Sequence, residues 1–118
     1  MPIVKVFSQA GKLQFQIFAD GGVSIAKSIP YRKICNLEDA LRSLYRISMT
    51  SSDVVFSNKD GLHQISAKSM RQRLTLSEVT SSEHFIRILK EISNARIIDS
   101  RSPERRRTDL GGSLKSLM

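Results

Sequence analysis

Two clusters of basic side chains are the best candidates for a functional site in this sequence, and their residue types favour anion binding. One cluster surrounds a tyrosine after a predicted third strand, and the other lies in a predicted, equivalent hairpin of the second half. Lysine and arginine hold phosphates and an aromatic ring stacks on a base, so the pattern predicts a surface for single-stranded nucleic acid. A solvated loop is the alternative interpretation. The first cluster is Lys27, Tyr31, Arg32 and Lys33, and the second is Lys68, Arg71 and Arg73.

Three further arginines, Arg105, Arg106 and Arg107, stand together near the end of the chain. The 118 residues contain 19 Lys and Arg against 11 Asp and Glu, which gives a net charge of +8. A basic surface favours nucleic acid or an acidic protein surface as its partner. We expect these arginines, with Thr108, to contact such a partner, to form a modification site, or to belong to a disordered end without either role.

Catalytic and metal-binding chemistry have little support in the sequence. Cys35 is the only cysteine, and we expect it to be a small buried residue at a turn rather than a nucleophile. Neither His63 nor His84 has another ligand type at metal-binding spacing. The segment Asp20-Gly21-Gly22 lacks the spacing of a phosphate-binding loop and fits a hairpin turn. The sequence therefore predicts no enzyme activity, no cofactor and no metal site.

The apolar residues are spread along the chain in short runs. None of these runs approaches the roughly 20 residues of a membrane span, and the N-terminus lacks the long apolar stretch of a signal peptide. A single cysteine cannot form an internal disulfide. These features predict a protein of the reducing cytoplasm.

The chain contains two similar halves, at about residues 4–47 and 54–92. Val6-Phe7-Ser8 recurs as Val55-Phe56-Ser57 at an offset of 49 residues, and other apolar positions recur at 48 or 49. A steady offset across strand-like and helix-like segments indicates an internal repeat. We predict two tandem copies of a strand-strand-strand-helix unit.

The pattern of apolar residues defines the elements of each predicted unit. Leu13, Phe15 and Ile17 alternate with polar residues, which is typical of a strand with one buried face. Asn36 is a candidate N-cap for the first helix, and Thr80-Ser81-Ser82-Glu83 has capping-box spacing before the second. We predict an α+β fold in which the antiparallel strands of both repeats form one sheet or two abutting sheets, with both helices packed on one face. Residues 1–99 form this domain, and residues 100–118 form a flexible basic tail.

Residues 4–99 resemble the YegP-like family of small uncharacterised proteins. The family's repeat is similar to Gly11-Lys12-Leu13-Gln14-Phe15-Gln16-Ile17, followed by Ala19-Asp20-Gly21-Gly22, Ile25, Ser28 and Tyr31. Two departures lie in the second half, where Met70-Arg71-Gln72 replaces an Asn-Gly turn and Thr80 replaces a tyrosine. The resemblance implies tandem βββα repeats and a dimer, and it implies no activity, cofactor or site.

Two classes of function stay open. The first is a non-enzymatic module that binds single-stranded nucleic acid through the basic hairpins and the tail. The second is a protein-interaction or scaffold module that acts through a sheet edge or the tail. Unpaired strand edges also make a homodimer plausible.

Overall fold

The computed structural model describes residues 1–50, 53–69, 71–102, 110 and 112–117. Within them the order is three strands, a helix, three strands, a helix, two strands and a short 3₁₀ helix. The elements are β1 (Ile3–Gln9), β2 (Lys12–Phe18), β3 (Ser24–Ser28), α1 (Ile34–Ser48), β4 (Val54–Lys59), β5 (Leu62–Ala67), β6 (Gln72–Val79), α2 (Ser82–Ile92), β7 (Arg96–Asp99), β8 (Gly112–Ser113) and the 3₁₀ helix (Leu114–Leu117).

The eight described strands form one sheet in the order β4-β5-β6-β3-β2-β1-β7-β8. The predicted α+β class is confirmed, but the sheet is larger than predicted and is not purely antiparallel, because β7 runs parallel to β1. β6 ends at the same end of the sheet at which β1 begins. α2 then crosses one face of the sheet and brings the chain to the free edge of β1. β7 therefore starts beside the start of β1 and runs in the same direction.

Short turns with positive φ join the first two strands of each half. Ala10 and Gly11 have φ values of 52° and 77°, and Asp60 and Gly61 have 54° and 78°. This left-handed pair matches the twist of a two-residue hairpin. The two turns are 50 residues apart, so the offset of 49 predicted for the first strands is wrong. At that offset Phe56, on the helix side, would correspond to Phe7, which lies on the other face.

Both helices pack on one face of the sheet. Alternate strand residues such as Val6 and Phe15 are 0% exposed, and they form one core cluster with Leu41 of α1 and Leu89 of α2. The helices contact each other, α1 lies against β2 and β6, and α2 lies against β3. Neither helix is long and apolar enough to cross a membrane, as far as the described residues extend.

The observed N-cap lies three residues before the predicted one in α1 and one residue after it in α2. α1 begins at Ile34 with Lys33 as its N-cap, so the predicted cap Asn36 already lies in the first turn. α2 is capped by Ser81, whose hydroxyl accepts a hydrogen bond from the His84 backbone N–H at 3.2 Å. The predicted capping box placed this role on Thr80. Thr80 instead donates its hydroxyl to the Ser24 carbonyl and ties β6 to β3.

Of residues 100–118, predicted as a flexible tail, those that the structure describes after residue 109 pack against the folded unit. Gly112–Ser113 pairs with β7, and the side chain of Leu114 is fully buried. A buried ion pair between Asp99 and Arg101, with 2.6 Å between carboxylate and guanidinium, lies where the chain leaves β7. The prediction missed this docking because the two apolar anchors, Leu110 and Leu114, are too few to give a periodic pattern.

Candidate nucleic-acid interface

The sheet face opposite the helices, here called the open face, has no covering element among the described residues. Side chains alternate along a strand, so the residues between the buried ones point to this face. The strand register aligns Lys5 with Gln16 and Gln16 with Lys27, and Glu78 continues the same row on β6. Neighbouring strands lie about 4.8 Å apart, which places the backbones of Lys5 and Lys27 about 10 Å from each other.

A phenylalanine and a lysine pack together on this face. The ammonium of Lys27 lies over the ring of Phe7, 5.6 Å from its centroid, within the range of a cation–π contact. Gln14, the cross-strand partner of Phe7, is buried and donates its amide to the Ser28 carbonyl at 2.9 Å. The ring of Phe7 and the ammonium of Lys27 therefore lie together at the centre of the open face. The hydrogen bond from Gln14 ties β2 to the end of β3 beside them.

The charge of the open face differs from that of the helices. Among the described residues, the outward strand positions have six cations and one carboxylate, Glu78. The two helices together have four basic and four acidic side chains. Positive potential is therefore concentrated on the face that no described element covers. The six cations are Lys5, Lys12, Lys27, Lys59, Arg73 and Arg96.

Further cations gather at one end of the sheet, here called the basic end. β3 and β6 are antiparallel, so the connector after β3 and the turn before β6 lie at this same end. Their side chains are exposed, and those of the β5–β6 turn line a shallow recess of about 370 Å³. Asp53, at the start of β4, is an acidic neighbour. The cations are Arg32 and Lys33 in the connector and Lys68, Arg71 and Arg73 around the turn.

A cleft opens between β3 and β6 at the basic end. The two strands pair as far as Ser28 and Leu76, and beyond that point they diverge. The chain after β3 pairs with β2 through reciprocal 2.7 Å hydrogen bonds between Tyr31 and Leu13, while Leu74 stays paired with Ile65. The resulting gap has a volume of about 380 Å³ and is lined by Tyr31, by residues of α1, and by Arg73 and Thr75.

Tyr31 is half-buried in the wall of this cleft. Burial raises the pKa of its phenol above the ordinary value of 10.0, because an apolar environment disfavours the phenolate. The hydroxyl is therefore a neutral hydrogen-bond donor and acceptor at physiological pH.

No family model matches this chain, and no curated protein sequence matches it. Two solved structures are similar in fold. A UPF0339 protein from Shewanella oneidensis gives a TM-score of 0.67 at 14% identity, over 92% of this chain and 98% of that chain. The E. coli protein yegP, of unknown function, gives 0.64 at 15% identity over 86% and 94%. The chain has the YegP-like fold. The resemblance stated for residues 4–99 is confirmed at this level.

Within the YegP-like fold, the predicted site residues divide into three groups. Six of the seven cluster residues lie at the basic end, and Arg73 borders both the cleft and the recess. Lys27 lies apart from them, on the open face. The tail residues Arg105, Arg106 and Arg107 lie outside the described residues. The prediction that the two clusters occupy equivalent hairpins is wrong, because one follows β3 and the other precedes β6. Antiparallel pairing of these two strands nevertheless brings the clusters together.

The remaining reactive side chains lie elsewhere in the YegP-like fold. Cys35 is exposed in the first turn of α1, contrary to the predicted buried position, because the helix begins before it. His63 is half-buried and lines a recess of about 210 Å³ near the start of α2, together with Asn58 and Ser82. Within the described ranges, no three His, Cys, Asp or Glu side chains are grouped closely enough to hold a metal ion.

Sequence reasoning missed Phe7 and Lys5 as candidate residues. In β1 the buried residues are Val4 and Val6, so side-chain alternation places Phe7 on the opposite face, away from the core. The match of Val6-Phe7-Ser8 with Val55-Phe56-Ser57 instead made Phe7 equivalent to Phe56, which lies on the helix side. Lys5 is one residue from Val4 and Val6 and belongs to the same outward row.

Proposed function

We propose that this chain binds single-stranded nucleic acid on the open face and basic end of its sheet. The observation that carries the proposal is the concentration of cations around an outward aromatic ring, with Lys27 over Phe7 at its centre. Open sheets that bind single-stranded RNA stack bases on outward aromatic rings, and flanking cations hold the phosphates. The chain would act as a non-enzymatic module in the cytoplasm.

The Lys27–Phe7 contact is compatible with base stacking. An exposed cation–π contact contributes roughly 0.5–1 kcal/mol, whereas a base stacked on an aromatic ring contributes roughly 1–3 kcal/mol. A base that stacks on Phe7 therefore displaces the ammonium of Lys27 with a net gain. The displaced ammonium then lies beside the ring, where the phosphate of the stacked nucleotide would be.

The test is fluorescence anisotropy with a labelled 12-nucleotide oligouridine and a matched deoxyribonucleotide at low salt. Phe7→Leu keeps an apolar side chain but removes the ring, and we expect an affinity loss of about 5- to 150-fold, the equivalent of one stacked base. Val55→Leu, another substitution on the open face, is the control and should change affinity little. Absence of binding by the natural chain at low salt would refute the proposal.

Salt dependence separates the open face from the helices. Lys5→Gln with Lys27→Gln should reduce the slope of log affinity against log salt by about 1.4, because each phosphate contact on a single strand contributes about 0.7. The matched control is Arg87→Gln with Lys90→Gln on α2, which removes the same charge from the helix side. Equal changes in the two double variants would mean that only net charge matters and that the open face is not the site.

We propose a protein-interaction role through the β4 edge as the second candidate function. Among the described strands β4 pairs only with β5, and Val55 on it is 37% exposed. An unpaired edge can add a strand from a partner, and a second copy of this chain would give a homodimer. Light scattering after gel filtration should then show a dimer that Val55→Lys weakens. A monomer at high concentration that captures no acidic protein partner would count against this role.

We also propose that the two βββα segments are tandem copies of one unit. The buried positions of α1 recur in α2 at an offset of 48, from Leu37 and Phe85 to Leu44 and Ile92, and the hairpin turns recur at 50. If the segments are equivalent, Leu41→Ala and Leu89→Ala should each lower the free energy of unfolding by about 2–5 kcal/mol. A large cost at one site and almost none at the other would contradict equivalence.

A further inference from the structure

The cleft between β3 and β6 presents hydrogen-bonding groups of both kinds. The Asp39 carboxylate is an acceptor, the Arg73 guanidinium is a donor, and the amide of Asn36 and the hydroxyl of Tyr31 can serve as either. Ala40 and Ser43 of α1 also line the cleft. A mixed set of donors and acceptors around a slot beside an aromatic residue fits a planar, polar ligand better than a phosphate alone.

The size and position of the cleft fit one base of a bound strand. A volume of about 380 Å³ is near the lower limit of ligand pockets, so it suits a small ligand. Arg73 is both an outward residue of β6 and a lining residue of the cleft, which makes the cleft continuous with the open face. A strand that lies on the open face and reaches the basic end would pass the mouth of this cleft.

Guanine is the base whose edges match this set of groups. Its N1–H and N2 amino group are adjacent donors that a carboxylate such as Asp39 can accept together. Its O6 and N7 are adjacent acceptors that an arginine such as Arg73 can contact with two donors. Adenine and uracil have neither two adjacent donors nor two adjacent acceptors, and cytosine lacks the pair of adjacent donors.

We infer that the cleft between β3 and β6 binds a guanine base. The inference deepens the proposed function, in which that base belongs to the single strand on the open face. A free guanine nucleotide has the same base, and the test therefore treats nucleotide and strand separately.

The Asp39 carboxylate can leave its ion pair with Arg42 and turn towards a bound base at a small cost in free energy. Its carboxylate is 3.1 Å from the guanidinium of Arg42, but the Asp39 side chain is 74% exposed, and exposed ion pairs contribute little. Arg42 also contacts Glu38 at 3.4 Å, so it keeps a partner when Asp39 turns towards a base.

The test is a titration of the full chain, labelled with ¹⁵N, with guanosine monophosphate and separately with adenosine monophosphate, followed by NMR. We expect guanosine monophosphate at millimolar concentration to shift the amides of Ser43, Arg73 and Thr75, and to bind about tenfold more tightly than adenosine monophosphate. Asp39→Asn and Arg73→Gln should each remove that preference. Their controls, Glu91→Gln and Arg87→Gln on α2, remove the same charges away from the cleft and should keep it.

Oligonucleotide binding, measured on the same samples, separates the inference from the proposed function. A 12-nucleotide oligouridine with one central guanosine should bind more tightly than one with a central adenosine. If oligonucleotides bind but guanine gives no preference and no cleft shifts, the inference is wrong and the proposed function stands. If guanosine monophosphate shifts the cleft but no oligonucleotide binds, the proposed function is wrong and the guanine site stands. If neither probe binds, both are wrong.

Discussion

The two faces of the sheet are built from the same strands, but one is buried under the helices and no described element covers the other. On β1 and β2, Val6 and Phe15 pair across the helix-covered face and are fully buried. Phe7 and Gln14, one position along each strand, pair on the open face. Phe15 packs in the core of the covered face, whereas Phe7 on the open face lies under the ammonium of Lys27. One residue along a strand therefore separates a position in the core from a position on the proposed binding face, because side chains alternate.

The largest effect that tests this comparison is the removal of one ring from each face. Phe15→Ala removes a fully buried ring and should lower the free energy of unfolding by about 3–5 kcal/mol through lost burial and a cavity. Phe7→Ala should cost about 1 kcal/mol, because its ring is only partly buried. Denaturant unfolding of both variants is the measurement. Similar costs for the two rings would show that the open face is in fact covered.

An intermediate effect concerns the carboxylate on the covered side. Burial raises the pKa of Asp99, but hydrogen bonds from Arg101 and Leu110 and the charge of Arg101 outweigh burial and hold the pKa at about 2, below 3.8. A pKa that is lower in the folded state stabilises the fold above pH 3.8, and this stability is lost as the pH falls from about 4 to 2. The loss should be about 2 kcal/mol.

Unfolding measured as a function of pH tests this expectation. Asp99→Asn should remove the acid-dependent part between pH 4 and 2. Glu78→Gln on the open face is the matched control and should leave the pH profile unchanged. If the natural chain and Asp99→Asn lose stability in parallel over that range, the buried ion pair is not the cause.

The smallest effect is expected in the turn between β1 and β2, which belongs to neither face of the sheet. Ala10 has a φ of 52°, a left-handed conformation that asparagine adopts more readily than alanine. Ala10→Asn should stabilise the fold by about 0.5–1 kcal/mol and leave nucleic-acid affinity unchanged. Asp60→Asn in the corresponding turn should change little, since aspartate already suits that position. Thermal unfolding together with anisotropy tests both statements, and a change in affinity at Ala10 would extend the binding surface to this turn.

Local patterns predicted most of the fold but not the long-range pairing. The alternation of Leu13, Phe15 and Ile17, and the spacing of Leu37, Leu41 and Leu44, predicted a strand and a helix that the structure contains. The parallel contact of β1 with β7 joins residues more than 90 positions apart, and no local pattern contains that information. The arrangement of the candidate site also depends on long-range pairing. The basic clusters were visible in the sequence, but their meeting at one end depends on the β3–β6 pairing.

The position of β7 beside β1 has a consequence for synthesis on the ribosome. β1 is among the first segments to emerge, yet one of its edges gains its partner only after residues 96–99 have been made. Until then the nascent three-stranded sheet β1–β3 has two unpaired edges, one waiting for β7 and the other for β6. The chain should therefore be most prone to associate with neighbouring chains while its second half is still being translated.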